Sequence, residues 1–119
     1  MASAFLTLTN IAANAVVDFM TDANEGPSNL RFINRPSRVT YAADAIAIGV
    51  EIEVFAGSRT VQERSNIDAG GTAGVVPNLQ QKAQTFLAAA GEVLKFRLRE
   101  TGGVATTEAN LYIDVTPIR

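Results

Sequence analysis

The sequence predicts an all-β fold: an antiparallel β-sandwich, jelly-roll-like, with one short helix near residues 78–90. Three observations lead there. Four segments alternate apolar and polar residues with the period of two that marks a half-buried strand. Turn-forming clusters separate the segments: Glu25-Gly26-Pro27-Ser28, Asn34-Arg35-Pro36-Ser37, Ala56-Gly57-Ser58 and Thr101-Gly102-Gly103. The long strand–helix–strand alternation of a parallel sheet is missing.

Residues 4–9 read as the first strand. Residues 10–23 fit two patterns: Ile11, Ala15, Val16 and Phe19 make a helical stripe, while Ala15, Val17 and Phe19 make a strand face. The Val-Val-x-Phe run favours extended geometry over 15–20. Segments 30–34 and 38–42 read as weaker strands around the turn at Pro36. The clearest alternation spans 46–54, with Ile46, Ile48, Val50, Ile52 and Val54 on one face and Ala47, Gly49, Glu51 and Glu53 on the other. Segment 59–67 follows as another weak strand. Residues 78–90 read as the helix: Asn78 caps it, Leu79, Ala83, Phe86, Leu87 and Ala90 share a face, and Gly91 stops it. Strand 93–99 sets Leu94, Phe96 and Leu98 against Lys95, Arg97 and Arg99. Strand 110–116 sets Leu111, Ile113 and Val115 against Tyr112, Asp114 and Thr116.

With 119 residues, 47% of them apolar, the chain is expected to form a single domain over 1–119 that buries about two-thirds of its unfolded surface. Only 18% of residues are charged, which argues against disorder and for a surface partly covered by another chain. His and Cys are both absent, so neither Ser-His-Asp nor Cys-His catalysis can be assembled. The usual ligands of structural zinc, haem and iron–sulfur clusters are missing too, and no catalytic residue, metal or cofactor is expected. No targeting signal is read at the N-terminus, and no apolar stretch approaches the roughly 18 residues of a membrane span, so no membrane partner is expected. Absence of Cys fits folding in a reducing cytosol.

The charge distribution excludes a further class. The first basic residue is Arg31, and residues 1–30 carry only Asp18, Asp22 and Glu25. With a pI near 5.0, the chain lacks the basic footprint that displaces counterions from phosphates, and nucleic acid is not expected as a partner. Lys82 and Lys95 are the only lysines among ten basic residues. An arginine bias suits protein interfaces, and it equally fits compositional drift in a small sample.

Each candidate site has a structural alternative. The run Ala69-Gly70-Gly71-Thr72-Ala73-Gly74 lacks the Lys-Ser/Thr of a phosphate loop and leads into Val75-Val76-Pro77. It reads as a mobile surface loop, one that orders when a neighbour covers it. Glu51 and Glu53 share a strand face, as an acid/base pair would. The matching stripe of Lys95, Arg97 and Arg99 instead favours cross-strand ion pairs, if those strands are neighbours. Asp22, Asp44, Asp68 and Asp114 lack the spacing of a calcium loop. Tyr112, on a polar strand face, is the better candidate for an exposed aromatic contact than Tyr41. In 1–9, Phe5, Leu6 and Leu8 are apolar on both faces, a hazard unless something covers the strand. That cover is either the chain's own sandwich or a neighbouring subunit's sheet.

The layout also resembles a known class. Strand 39–42 with 46–54, Gly57-Ser58-Arg59-Thr60-Val61 after a turn, Ala90-Gly91-Glu92-Val93-Leu94 at a strand start, and Leu111-Tyr112-Ile113-Asp114-Val115-Thr116-Pro117-Ile118 at the end resemble small virion structural proteins of tailed bacteriophages. The likeness covers most of 30–118, its motifs are compositional, and the segment 10–23 departs from it. It implies a non-enzymatic capsid decoration or cement protein on the capsid exterior, made in the host cytoplasm. Its partners would be the major capsid protein and copies of itself. Phe5, Leu6, Leu8 and Tyr112 are then the apolar interface candidates, with Arg31, Arg35 and Arg38 as the charged ones. The alternatives are a carbohydrate-binding or host-attachment module, or a neck or tail component.

Overall fold

A computed structural model describes residues 2–67, 69–72, 74–77, 83–103 and 105–118, with Thr107 given by its backbone alone. Among these residues eight strands form: β1 (Ala2–Ile11), β2 (Val16–Asp18), β3 (Ser37–Ala45), β4 (Val50–Ala56), β5 (Arg59–Asn66), β6 (Gln84–Ala88), β7 (Leu94–Glu100) and β8 (Thr106–Pro117). One α-helical turn, α1 (Phe19–Asp22), follows β2, and a 3-10 turn spans Asn29–Arg31. The sheets run β1-β8-β3-β6 and β2-β7-β4-β5, antiparallel throughout. This is the strand order of a jelly roll, within the sandwich that the alternation pattern predicts.

The two sheets close on each other through their apolar faces. From the first come Leu6 and Leu8 of β1, Val39 and Tyr41 of β3, and Leu111 and Ile113 of β8. The second supplies Val50, Ile52 and Val54 of β4 with Leu94, Phe96 and Leu98 of β7. Each large side chain buried this way contributes about 1.5–3 kcal/mol, which is why strict alternation fixes register. Tyr41 meets Phe86 and Phe96 edge-on, with ring centroids 5.9 and 5.1 Å away, and its hydroxyl donates to Gln62. Burial pushes that phenol up to about 12.

Segment 10–23 resolves into both of its readings in turn. Asn10 adopts φ 55°, a left-handed conformation that Asn tolerates, and Ile11 is buried beyond it. Val16–Asp18 is extended, then α1 buries Phe19 and Met20 completely. The Asp18 carboxylate joins the two pieces. It accepts from the Met20 amide at 3.0 Å as the helix cap and from the Phe96 amide of β7 at 3.1 Å.

Three expectations need correction. The helix expected at 78–90 is a strand over Gln84–Ala88, and its first part, 78–82, lies outside the described residues. Pairing of Phe86 with Val39 and Leu87 with Arg38 overrides the helical spacing, and Leu87 faces solvent. The strand expected over 46–54 starts only at Val50, and Ile48 is 86% exposed. Gly49, at φ 89°, ends the preceding bend, and a Cβ there would lie 3.1 Å from the Gly102 backbone. Segment 30–34 is the 3-10 turn plus a single bridge from Phe32 to Val93.

β1 pairs with β8 of its own chain from Ala2–Val115 to Ile11–Thr106. Leu6 and Leu8 are thereby core residues, each 4% exposed. Removing residues 1–9 is expected to abolish cooperative thermal unfolding. Leu8→Ala alone should lower stability by about 2–5 kcal/mol, read by urea titration of the intact chain.

Candidate interaction surface

The outer face of the β2-β7-β4-β5 sheet answers the question posed by the paired glutamates. Register sets Glu51 opposite Arg99 and Glu53 opposite Arg97. Glu53 Oε1 accepts from Arg99 Nε at 2.9 Å and lies 4.0 Å from Arg97, while Glu51 takes Arg64 at 3.0 Å. The Arg97 guanidinium also lies over the Phe55 ring, 5.0 Å from its centroid. Both carboxylates are engaged by cations on neighbouring strands: Glu53 by Arg97 and Arg99 of the expected stripe, Glu51 by Arg64 of β5 instead.

The edges of the other sheet are occupied by charged side chains. On β1, Thr7 turns its backbone away from β8: its N–H donates to Glu25 at 2.9 Å, and its C=O accepts from the Asn24 amide at 2.8 Å. The Thr7 hydroxyl donates to the same carboxylate at 2.8 Å. Partial burial pushes Glu25 up, but the bonds from Thr7 outweigh it and hold the carboxyl below its ordinary value. On β6, Arg59 donates to the Leu87 carbonyl at 2.8 Å and to Glu92 at 2.9 Å, and Glu92 accepts from the Ala89 amide at 2.7 Å. Arg59 first, then the Ala89 amide, lowers the Glu92 carboxyl. Each plug satisfies a donor and an acceptor that an added strand would otherwise take.

The glycine run is seated on its own sheet. Gly71 donates to the Ala45 carbonyl at 3.0 Å, and a Cβ there would sit 2.6 Å from the Asp44 carboxyl carbon. Gly74 donates to Glu108 at 2.6 Å. Beneath it, buried Asn110 donates to Asp44 Oδ1 at 3.2 Å and to the Thr72 carbonyl at 3.3 Å. Only glycine fits at 71 against Asp44.

Half of the large exposed apolar side chains lie at one end, while Val16, Ile48, Val75 and Val76 stand open elsewhere among the described residues. Phe32 (50% exposed), Leu87 (61%), Val93 (45%) and Ile118 (42%) gather where the 29–36 segment, the end of β6, the start of β7 and the end of β8 meet. Phe32 bridges Val93; Leu87 and Ile118 line one shallow groove with Pro36, Arg59 and Glu92. On the other side of the Pro36 turn lies a second depression, lined by Ala2, Leu30, Ile33, Arg35 and Val115 among others. Arg31 places its guanidinium 4.4 Å from the Phe32 centroid and donates to the Ser28 carbonyl. Arg35 and Arg38 are exposed and form no ion pair among the described residues.

The structure thus gathers some expected residues and disperses others. Phe5 and Tyr112 are register partners on the outer face of the first sheet, both half-buried, and Arg38 stands on that face beside Leu87. Arg31 and Arg35 flank the apolar end. Leu6 and Leu8 point into the core. Sequence reasoning missed Phe32, Leu87, Val93 and Ile118. Leu87 and Val93 carried a signal, since each borders a turn, where an apolar side chain loses its alternating partner. Among the described residues no group of three or more potential metal ligands forms.

No protein-family model and no curated protein matches the chain. Among solved structures it is similar to PRD1 vertex protein P5. That similarity has a TM-score of 0.51 at 13% identity and covers 98% of this chain and 96% of that one. The likeness is one of fold.

Two measurements check this geometry. Glu53→Lys should lower stability by about 1–2 kcal/mol in a urea titration, since it replaces two favourable contacts by repulsion. Because Glu25 and Glu92 titrate lower when folded, their stabilisation is complete above the ordinary glutamate value and is lost as pH falls from there through the lower folded value. Hydrogen exchange at the Thr7 and Ala89 amides should therefore accelerate on acidification, corrected for intrinsic rates, and Glu25→Gln should flatten the response at Thr7.

Proposed function

We propose that the chain is a non-enzymatic structural part of a bacteriophage virion, a decoration or cement protein on the capsid exterior. In this reading it binds the major capsid protein and copies of itself. The observation that carries the reading is the apolar end, where Phe32, Leu87, Val93 and Ile118 stand open beside arginines. Contiguous exposed apolar surface on a small domain marks a contact site, and arginine is the cation that interfaces favour. The fold likeness to a protein named for a virion vertex supports the same placement.

The mechanism is mass action. A subunit that binds the assembled lattice and not its dissociated parts stabilises the lattice in proportion to its occupancy. Nucleic acid fits poorly, since the pI is near 5.0 and most cations on the β7 face are paired with glutamate. Glycan recognition wants an open aromatic face. Tyr112 is half-buried, and Phe32 has the Arg31 guanidinium over its ring.

Co-sedimentation of the purified chain with intact particles tests the proposal, and density for the chain in an image of the whole particle would locate it. The double variant Leu87→Glu, Ile118→Glu should remain folded and lose attachment by about tenfold or more, the cost of placing charge in an apolar contact. A chain that fails to pellet, or a variant that binds at full occupancy, overturns it.

A further inference from the structure

The strand edge of β1 is plugged only along part of its length. Thr7 directs its N–H and C=O outward, to Glu25 and Asn24, and the Thr9 hydroxyl is held by the Asn24 side chain. Strand periodicity directs the same groups of Phe5 and Ser3 outward, two and four residues earlier. Neither residue makes a hydrogen bond outside its sheet among the described residues. The other free edges offer less. β6 is engaged by Arg59 at the Leu87 carbonyl and by Glu92 at Ala89 just beyond its end, and only Gln84–Ala88 of it is described as strand, while β2 spans only Val16–Asp18. β5 carries two register irregularities against β4 and a charged, exposed run.

Beside the open part of β1, the inward series Leu8, Leu6 changes to Ala4, Ala2. The small side chains at that end leave a depression of about 250 Å³, floored by Leu30, Ile33 and Val115. Arg35 lines it together with Asn29 and Asn34, and no acidic side chain does. Arg35 has no ion-pair partner among the described residues. A strand edge, an apolar depression next to it and a guanidinium with no ion-pair partner among the described residues together specify a ligand. Backbone hydrogen bonds supply affinity and the pocket supplies specificity, as in other strand-addition sites.

We infer that the open edge of β1 at Ser3 and Phe5 docks an extended segment of a partner protein, which seats an apolar side chain between Ala2, Leu30, Ile33 and Val115 and a carboxylate on Arg35. The inference rests on the reading of this chain as a part that works by being covered, and it names the chemistry of what covers it. The occupant is acidic because the cation has no ion-pair partner among the described residues and no acidic side chain lines the depression. It is extended because the groups left open on β1 are spaced as a strand's are.

The test uses two short blocked peptides, one alternating Val with Glu and one alternating Val with Lys, added to the intact chain. Hydrogen exchange at the Ser3 and Phe5 amides should slow with the Glu peptide, whose affinity should exceed that of the Lys peptide by about tenfold or more at low salt. Ser3→Pro removes one outward N–H without touching the β8 ladder, because proline is tolerated where the N–H faces out of an edge strand. Arg35→Glu alters only an exposed turn. Each should abolish the preference at an unchanged melting temperature. Equal response to both peptides, no protection at the two amides, or undiminished binding by both variants overturns the inference. A dimer of the free chain with those amides already protected overturns it as well, since a second copy would then be the occupant. Peptide binding as described, with no attachment to particles, would sink the virion reading and leave this site standing. Attachment to particles without peptide binding would do the reverse.

Discussion

A two-sheet sandwich ends in four strand edges, and the closing of those edges decides what the molecule can touch. Backbone N–H and C=O groups on an edge recruit any extended chain they meet. Here, each of the longer edges of the β1-β8-β3-β6 sheet is interrupted by a carboxylate that takes an amide proton, Glu25 at Thr7 and Glu92 at Ala89. The opposite sheet uses brevity at β2 and bulges with charge at β5. Among the places left open are the start of β1 and the apolar end next to it.

The same device explains a mismatch between net charge and local surface. The formal charge is −2, yet the open end presents arginines. Many acids are turned to the backbone. Asp18 accepts from Met20 and Phe96, Glu100 accepts from Asn14, Gly102 and Gly103, and Glu25 and Glu92 close edges. Glu51 and Glu53 are engaged by Arg64, Arg97 and Arg99. Carboxylates so placed are held by partners other than Arg35 and Arg38. Counting charges along the chain therefore gives the sign of the far field and not of the contact surface, which is set by which charges still face water.

Much of the fold was legible because alternation at period two is a direct image of burial. Residues 94–99 and 110–116 keep it across the whole strand, and Glu53 found the stripe cations its position called for, while Glu51 took Arg64 on the other side of β4. The failures have local causes. Residues 84–88 carry apolar spacing compatible with a helix, and only pairing with β3, distant in sequence, extends them. Ile46 and Ile48 continue the β4 pattern into a bend, because nothing in the alternation encodes the close approach of Gly49 to Gly102. The glycine run looked free since its seat, Asp44 and Asn110, lies 27 and 39 residues from Gly71 in sequence.

The interface candidates divide along the same line. Apolarity on both faces of 1–9 was a sound signal of cover, and the chain supplies most of that cover itself through β8 and the core. Leu6 and Leu8 were therefore named for the right reason and belong to the interior, while Phe5 sits beside Tyr112 on the outer face. Pairing with β8 satisfies one side of β1 only, and Glu25 with Asn24 closes the middle of the other. The remainder coincides with the place where the inward leucines give way to Ala4 and Ala2. An edge that is open where the core tapers offers a neighbour both hydrogen bonds and a place for a side chain, and neither alone would distinguish it from an ordinary strand end.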